Sequence, residues 1–153
     1  LPTRYESIQA KDYSGDYPLI HTSGRLVEYE GGGEETRSNP WLAELQQEMF
    51  AEINPVDANN LGIKEGQWVW LEGPEGGKIK VKAMVTQRVG RGVVFTPYHF
   101  GGWFEGKDLL AKYPEGCAPY VRGDAANTAT TYGYDSVTAM QETKASLCKI
   151  TAA

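Results

Sequence analysis

Residues 52–69 read Glu52-Ile53-Asn54-Pro55-Val56-Asp57-Ala58-Asn59-Asn60-Leu61-Gly62-Ile63-Lys64-Glu65-Gly66-Gln67-Trp68-Val69, and their punctuation decides the fold. Asn54 is placed to cap a helix, because its side-chain oxygen can accept an N–H of the first turn. Pro55 suits the first helical position, where its missing N–H is no loss. Gly62 closes the helix and Ile63 returns to the core. Lys64-Glu65-Gly66 is a turn. The flanks are strands. Before the helix, apolar residues recur at 49, 51 and 53. After it, 68–72 is a strand with Trp68 and Trp70 on one face. Gly73-Pro74-Glu75-Gly76-Gly77 is then a hairpin loop into 78–86, which alternates charged and apolar residues. Residues 92–96 form another strand.

Working outward, 17–21 is an apolar strand that breaks at Ser23-Gly24-Arg25 and leads to Gly31-Gly32-Gly33. Asn39 and Pro40 open a second helix over 39–47. Residues 97–134 are rich in Gly, Tyr and Pro and read as a long functional loop region. Residues 144–150 close the chain as a last strand. Residues 1–16 carry no period and read as a linker or arm, leaving 17–150 as one domain. About six short strands and two short helices, without βαβ regularity, predict a mainly β barrel.

The chain has 153 residues and a net charge of −5. That balance argues against a nucleic-acid partner and against an anionic membrane surface. No apolar run approaches the roughly 20 residues that span a bilayer, so direct membrane insertion is not expected. No signal-peptide pattern is visible, and a start at Leu1 is expected of an excised or processed fragment. Two cysteines, Cys117 and Cys148, with two histidines, His21 and His99, complete no zinc pattern. Cys148 reads as a small core residue and Cys117 as a loop residue.

The chemistry concentrates where the first strand ends. Thr22, Ser23 and Gly24 offer hydroxyl and main-chain donors, and Arg25 offers a fork that matches phosphate. Gly31, Gly32 and Gly33 let backbone N–H groups approach a bulky anion with no Cβ in the way. A large anionic cofactor held partly by main chain fits this pattern, and a strand followed by a flexible loop fits it too. Glu28, Glu30, Glu34 and Glu35 flank the glycines and work against a simple phosphate cradle. One of these carboxylates can instead accept paired N–H donors from a heterocycle edge.

Four segments in order carry a resemblance: Thr22-Ser23-Gly24-Arg25 with its glycine loop, the 52–69 stretch, Gly92-Val93-Val94-Phe95-Thr96-Pro97-Tyr98-His99-Phe100-Gly101, and the late run from Gly123 to Lys144. Together they resemble the C-terminal molybdopterin-dinucleotide-binding domain of the dimethyl sulfoxide reductase superfamily. The nearest subgroup is the catalytic (alpha) subunit of molybdenum or tungsten formate dehydrogenases. The resemblance implies a six-stranded double-psi β-barrel and a molybdopterin guanine dinucleotide ligand whose metal is held by other domains. It implies cofactor-binding roles for Thr22, Ser23, Gly24, Arg25, Glu28, Tyr29, Gly31, Gly32, Tyr98, His99, Asn127, Gln141 and Lys144. No catalytic residue and no metal ligand are expected in this chain. The implied partners are the remaining domains of the catalytic subunit and an iron–sulfur electron-transfer subunit. The implied compartment is the periplasm, within a membrane-associated complex, or alternatively the cytoplasm. The loop departs from its relatives, reading Tyr29-Glu30-Gly31-Gly32-Gly33 where many carry aromatics and histidine. Two other readings stay open: a freestanding cofactor-binding subunit of a related enzyme such as formylmethanofuran dehydrogenase, and a non-redox double-psi binding module.

Overall fold

Asn54 caps its helix as expected, its side-chain oxygen accepting the Val56 N–H, and Gly62 ends it in the left-handed region at φ 67°. In the computed structural model, which describes residues 12–131, 137–138 and 144–153, this helix is α2 (Pro55–Leu61). It follows β1 (Leu19–Gly24), α1 (Pro40–Leu45) and β2 (Phe50–Ile53). After it come β3 (Trp68–Glu72), β4 (Lys78–Val85), β5 (Val93–Pro97), β6 (Gly102–Phe104), β7 (Lys107–Asp108), β8 (Gly123–Asp124) and β9 (Ser146–Ala152). Asn39 caps α1, accepting from Trp41 and Leu42 N–H. Of the expected arm over 1–16, residues 1–11 lie outside the described residues. The rest holds a 3-10 turn at Tyr13–Gly15, and the Tyr17 hydroxyl donates to Glu72 at 3.0 Å.

Six strands close into a barrel in the order β1-β5-β2-β4-β3-β9. The pairs β1/β5 and β2/β4 are parallel and the other four are antiparallel. Exchanging β1 with β4, β2 with β5 and β3 with β9 maps every pairing onto one of the same sense. This internal two-fold, with one parallel pair in each half, is the double-psi arrangement that the resemblance implies. Inside, Ile53, Val69, Leu71, Ile79, Val81, Val94, Cys148 and Ile150 are buried. Ile53 and Val94 come from β2 and β5, and the other six from alternate positions along β3, β4 and β9, as the period of two requires.

Three expectations are corrected. The first strand does not break at Ser23-Gly24, because its parallel register with β5 continues through Ser23↔Thr96 to Gly24↔Pro97. The last strand begins at Ser146, which leaves Lys144 just ahead of it. The loop region 97–134 contains a small sheet of order β7-β6-β8. Buried Asp124 fastens that sheet to the barrel, its Oδ2 accepting from Lys80 N–H at 2.7 Å and Gly106 N–H at 2.8 Å. Burial raises the Asp124 carboxyl above its ordinary pKa, opposed by these backbone donors. Among the described residues no helix is long and apolar enough to cross a membrane.

His21 lies in the barrel wall, 1% exposed, with Nε2 on Thr96 Oγ1 at 2.8 Å. Burial lowers its pKa from 6.5 to about 4. The unfolded chain therefore takes up a proton in that window and the folded chain does not. This contribution to stability is full above pH 6.5 and is lost as pH falls toward 4. At 1.36 kcal/mol per unit it amounts to about 3 kcal/mol. Urea unfolding on either side of the window should show that loss in the wild type and a markedly shallower one in His21→Gln, where only other groups, including His99, still titrate.

Candidate functional site

Parallel strands leave a barrel at the same end. β1 and β5 therefore deliver Arg25 and Tyr98 side by side, and β9, antiparallel to β1, starts there just after Lys144. Seven residues singled out in the sequence, Ser23, Arg25, Gly31, Gly32, Tyr98, Asn127 and Lys144, line one open cleft of about 440 Å³. Lys144 Nζ donates to the Ser23 carbonyl at 2.6 Å and lies 4.8 Å from the centre of the Tyr98 ring. The Arg25 guanidinium carbon lies 5.9 Å from the same centre. Among the described residues neither cation is ion-paired to a carboxylate.

The three glycines divide. Gly31 and Gly33 have φ of 50° and 79°, values that side chains rarely adopt. A Cβ on Gly33 would lie 2.1 Å from the His99 carbonyl oxygen, so its close approach is to protein. Among the described residues, the nearest atoms that such a Cβ would meet at Gly31 and Gly32 belong to the Glu34 carboxylate. The Gly33 N–H is taken by the Glu30 carbonyl at 2.7 Å, whereas among the described residues no acceptor takes the Gly31 or Gly32 N–H. These two are the open amides of the loop, and Glu34 is the carboxylate at their edge.

The other named residues stand elsewhere. Thr22 and Gly24 share the outward face of β1, and a Cβ on Gly24 would strike the Phe95 ring at 2.5 Å. Glu28 is half-buried and does not line the cleft. Tyr29 is 4% exposed, donates its hydroxyl to the Gln46 carbonyl and meets Phe100 edge-on at 5.7 Å. It is a core residue, and burial raises its hydroxyl pKa. His99 is fully buried, with Nδ1 on the Gly31 carbonyl and Nε2 on the Leu26 N–H, each at 2.9 Å. Both placements have one cause: the loop folds back over the 98–100 segment and buries these rings. Gln141 lies outside the described residues.

Sequence reasoning gave no role to Arg37. Its side chain is buried beneath the loop, donating to the carbonyls of Gly101 at 3.0 Å and Val121 at 3.3 Å. Its own N–H donates to the Gly33 carbonyl at 3.0 Å. A buried guanidinium on backbone carbonyls has no local signature; only the three-dimensional packing reveals it. Burial lowers its pKa, and Tyr113, Glu34 and Tyr29 oppose that.

The Molydopterin dinucleotide binding domain family matches residues 19–147. The chain belongs to that family. It is similar to formate dehydrogenase subunit alpha of Megalodesulfovibrio gigas, 35% identical over 145 residues, covering 90% of this chain and 13% of that protein. It is similar to F420-dependent formate dehydrogenase subunit alpha of Methanocaldococcus jannaschii, 39% identical over 100 residues, covering 65% and 15%. Formate dehydrogenase 2 subunit alpha (cytochrome c-553) of Nitratidesulfovibrio vulgaris is 33% identical over 149 residues, covering 92% and 13%. The chain thus spans about 13–15% of the length of these relatives. Acetylene hydratase from Pelobacter acetylenicus shares the fold, with a TM-score of 0.71 at 18% identity over 100% of this chain and 21% of that one. In a dinucleotide-binding domain, a cleft lined by two cations without a carboxylate partner and two amides without an acceptor among the described residues has the donor set that pyrophosphate needs.

The division of the glycines is testable by substitution. Gly33→Ala should destabilise the chain by about 1–3 kcal/mol, because a Cβ cannot fit against the His99 carbonyl without backbone movement. Gly32→Ala, facing only a movable carboxylate, should change stability by less than about 0.5 kcal/mol. Thermal or urea unfolding of the two variants measures the difference.

Proposed function

We propose that this chain is the C-terminal cofactor-binding domain of a formate dehydrogenase catalytic subunit, and that its cleft holds part of a molybdopterin guanine dinucleotide. The observation that carries this reading is the convergence of Arg25, Lys144 and the open Gly31 and Gly32 amides in one cleft of a dinucleotide-binding family member. The residues fit the ligand. Arg25 and Lys144 hold pyrophosphate oxygens, the glycine amides donate to them, and Ser23 adds a hydroxyl. Asn127 presents an amide, with donor and acceptor together, to a base or pterin edge. The Tyr98 ring gives a flat wall already bordered by both cations. When bound, such a cofactor supplies a molybdenum or tungsten redox centre, and this chain contributes binding and orientation.

The iron–sulfur partner subunit and the remaining domains of the catalytic subunit belong to this reading. Its support is that relatives named subunit alpha carry the matching segment within far longer chains. A periplasmic, membrane-associated setting is the favoured compartment and the cytoplasm the alternative. Formate is favoured as substrate because the three relatives above all bear that name.

Charge-assisted hydrogen bonds are each worth about 1.5–3 kcal/mol. Arg25→Ala in the intact catalytic subunit should therefore lower the guanine nucleotide released per subunit by about tenfold under dilution, while domain stability changes little. Equal nucleotide release would remove Arg25 from the site. In the chain alone, a Kd for GDP on the order of 1 mM corresponds to about 4.1 kcal/mol. Titration should shift the amide signals of Ser23, Gly31, Gly32, Asn127 and Lys144. ADP should shift the phosphate-side residues and leave Asn127 unmoved.

A further inference from the structure

His99 does not line the cleft, yet three of its polar atoms meet the loop that does. The Leu26 N–H donates to Nε2 at 2.9 Å. That nitrogen must offer a lone pair, so the ring proton sits on Nδ1 and is donated to the Gly31 carbonyl, also at 2.9 Å. The third atom is the carbonyl oxygen, on which Gly33 is seated so closely that a Cβ would come within 2.1 Å. The contacts fall at the start of the 26–33 loop and at two positions near its end. The neighbour Tyr98 lines the cleft, and β5, which ends at Pro97, fixes where both residues stand.

We propose that His99 is a positioning residue: it ties the 26–33 loop to the end of β5 so that the Gly31 and Gly32 N–H groups stay turned to an anion in the cleft. This rests on the reading of the cleft as a pyrophosphate site. The Gly31 carbonyl and the Gly32 N–H belong to one peptide plane, so anchoring the first orients the second. The arrangement requires a neutral ring, since a protonated Nε2 would set N–H against N–H. Charged and titratable groups around the ring are Arg25 and Glu30 on the loop, Tyr29 and Tyr98 beside it, and Arg37 beneath Gly33. Burial, with help from the Arg25 charge and against the pull of the Gly31 and Glu30 carbonyls, holds the imidazole below its ordinary pKa. The tie therefore persists through neutral pH and opens only below the usual histidine range.

The test uses the 153-residue chain with inorganic pyrophosphate as probe and three variants. His99→Asn keeps a donor near the Nδ1 position, His99→Gln keeps an acceptor near the Nε2 position, and His99→Phe keeps ring bulk with neither. Nitrogen-15 spectra of the wild type should show the Nδ1–H tautomer. His99→Phe should bind pyrophosphate about fivefold more weakly or worse, as loss of an orienting hydrogen bond predicts. His99→Asn should recover most of that affinity while leaving the Leu26 amide exposed to hydrogen exchange. His99→Gln should protect Leu26 and recover little affinity. A loss of fold stability alone would not sort the variants in this crossed way. If His99→Phe does not fold, the Asn and Gln variants and the wild-type tautomer decide. An Nε2–H tautomer, or wild-type affinity in every variant that folds, overturns the positioning role and leaves the cleft reading intact. Failure of the wild type to bind pyrophosphate removes the cleft reading and the positioning role with it.

Discussion

The parallel pairing of β1 with β5 is the constraint on which the rest depends. It joins strands that are far apart in sequence, and a parallel pair needs a long crossover between them. Here that crossover carries three of the barrel's other strands, β2, β3 and β4, and both helices. Its register, Ser23↔Thr96 and Gly24↔Pro97, sends two chain segments out of the barrel at one end. One becomes the glycine loop and the other becomes Tyr98 and His99. The start of β9 comes to the same end because β9 runs antiparallel to β1. A slip of one residue in this pairing would turn Ser23 outward and Thr22 inward, and would separate Arg25 from Tyr98.

The two-fold within the barrel repeats this geometry at the opposite end, where β2 and β4 finish together. That end is filled rather than open. The Asn54 side chain donates to the Val89 carbonyl at 2.9 Å, the Thr86 N–H donates to Ile53, and Asp57 accepts the Gly92 N–H at 2.6 Å. The cap and first turn of α2 thus satisfy backbone groups of the 86–92 turn through side chains, and the turn's Thr86 N–H satisfies the end of β2. At the open end the corresponding groups on Gly31 and Gly32 lack partners among the described residues. One scaffold therefore gives a plugged end that stabilises and an unplugged end suited to a ligand.

What the sequence made legible was local. Asn54, Pro55 and Gly62 specify their helix through contacts within a few residues, and the 73–77 hairpin closes on itself through the Gly73 N–H to the Gly77 carbonyl, although the 128–129 backbone packs against both glycines. The barrel followed from the strand count. Ser23, Arg25, Gly31 and Gly32 were singled out by residue type at a strand end and its loop, whereas Tyr98, Asn127 and Lys144 were named through the family resemblance. What was not legible was set from a distance. Gly33 looks like Gly31 and Gly32 in sequence, and only the arrival of the His99 carbonyl makes it structural. Tyr29 and His99 carry the functional groups of a binding site, but burial commits those groups to Gln46, Leu26 and Gly31. Arg37 and Asp124 reverse the case: they are charged residues in loop sequence to which sequence reasoning gave no individual role, and their burial depends on how the β6–β8 sheet packs on the barrel.

The balance of charge around the cleft bears on selectivity. The chain carries −5 overall, but charges beyond about 8 Å are largely screened at physiological ionic strength. Among the described residues, Arg25 and Lys144 line the cleft and the Glu34 carboxylate lies beside its Gly31–Gly32 edge. A bare phosphate gains from the two cations and is opposed by that carboxylate. A ligand that carries ring N–H donors beside its phosphates gains from all three, because the carboxylate then accepts hydrogen bonds that the phosphate cannot offer. Acidic residues beside a phosphate cradle, unfavourable for phosphate alone, thus shift the preference toward a dinucleotide with a hydrogen-bonding heterocycle. This preference operates from one wall only. The rest of the binding energy must come from surfaces facing it, which is the relation expected of a domain whose relatives embed it in a much longer chain.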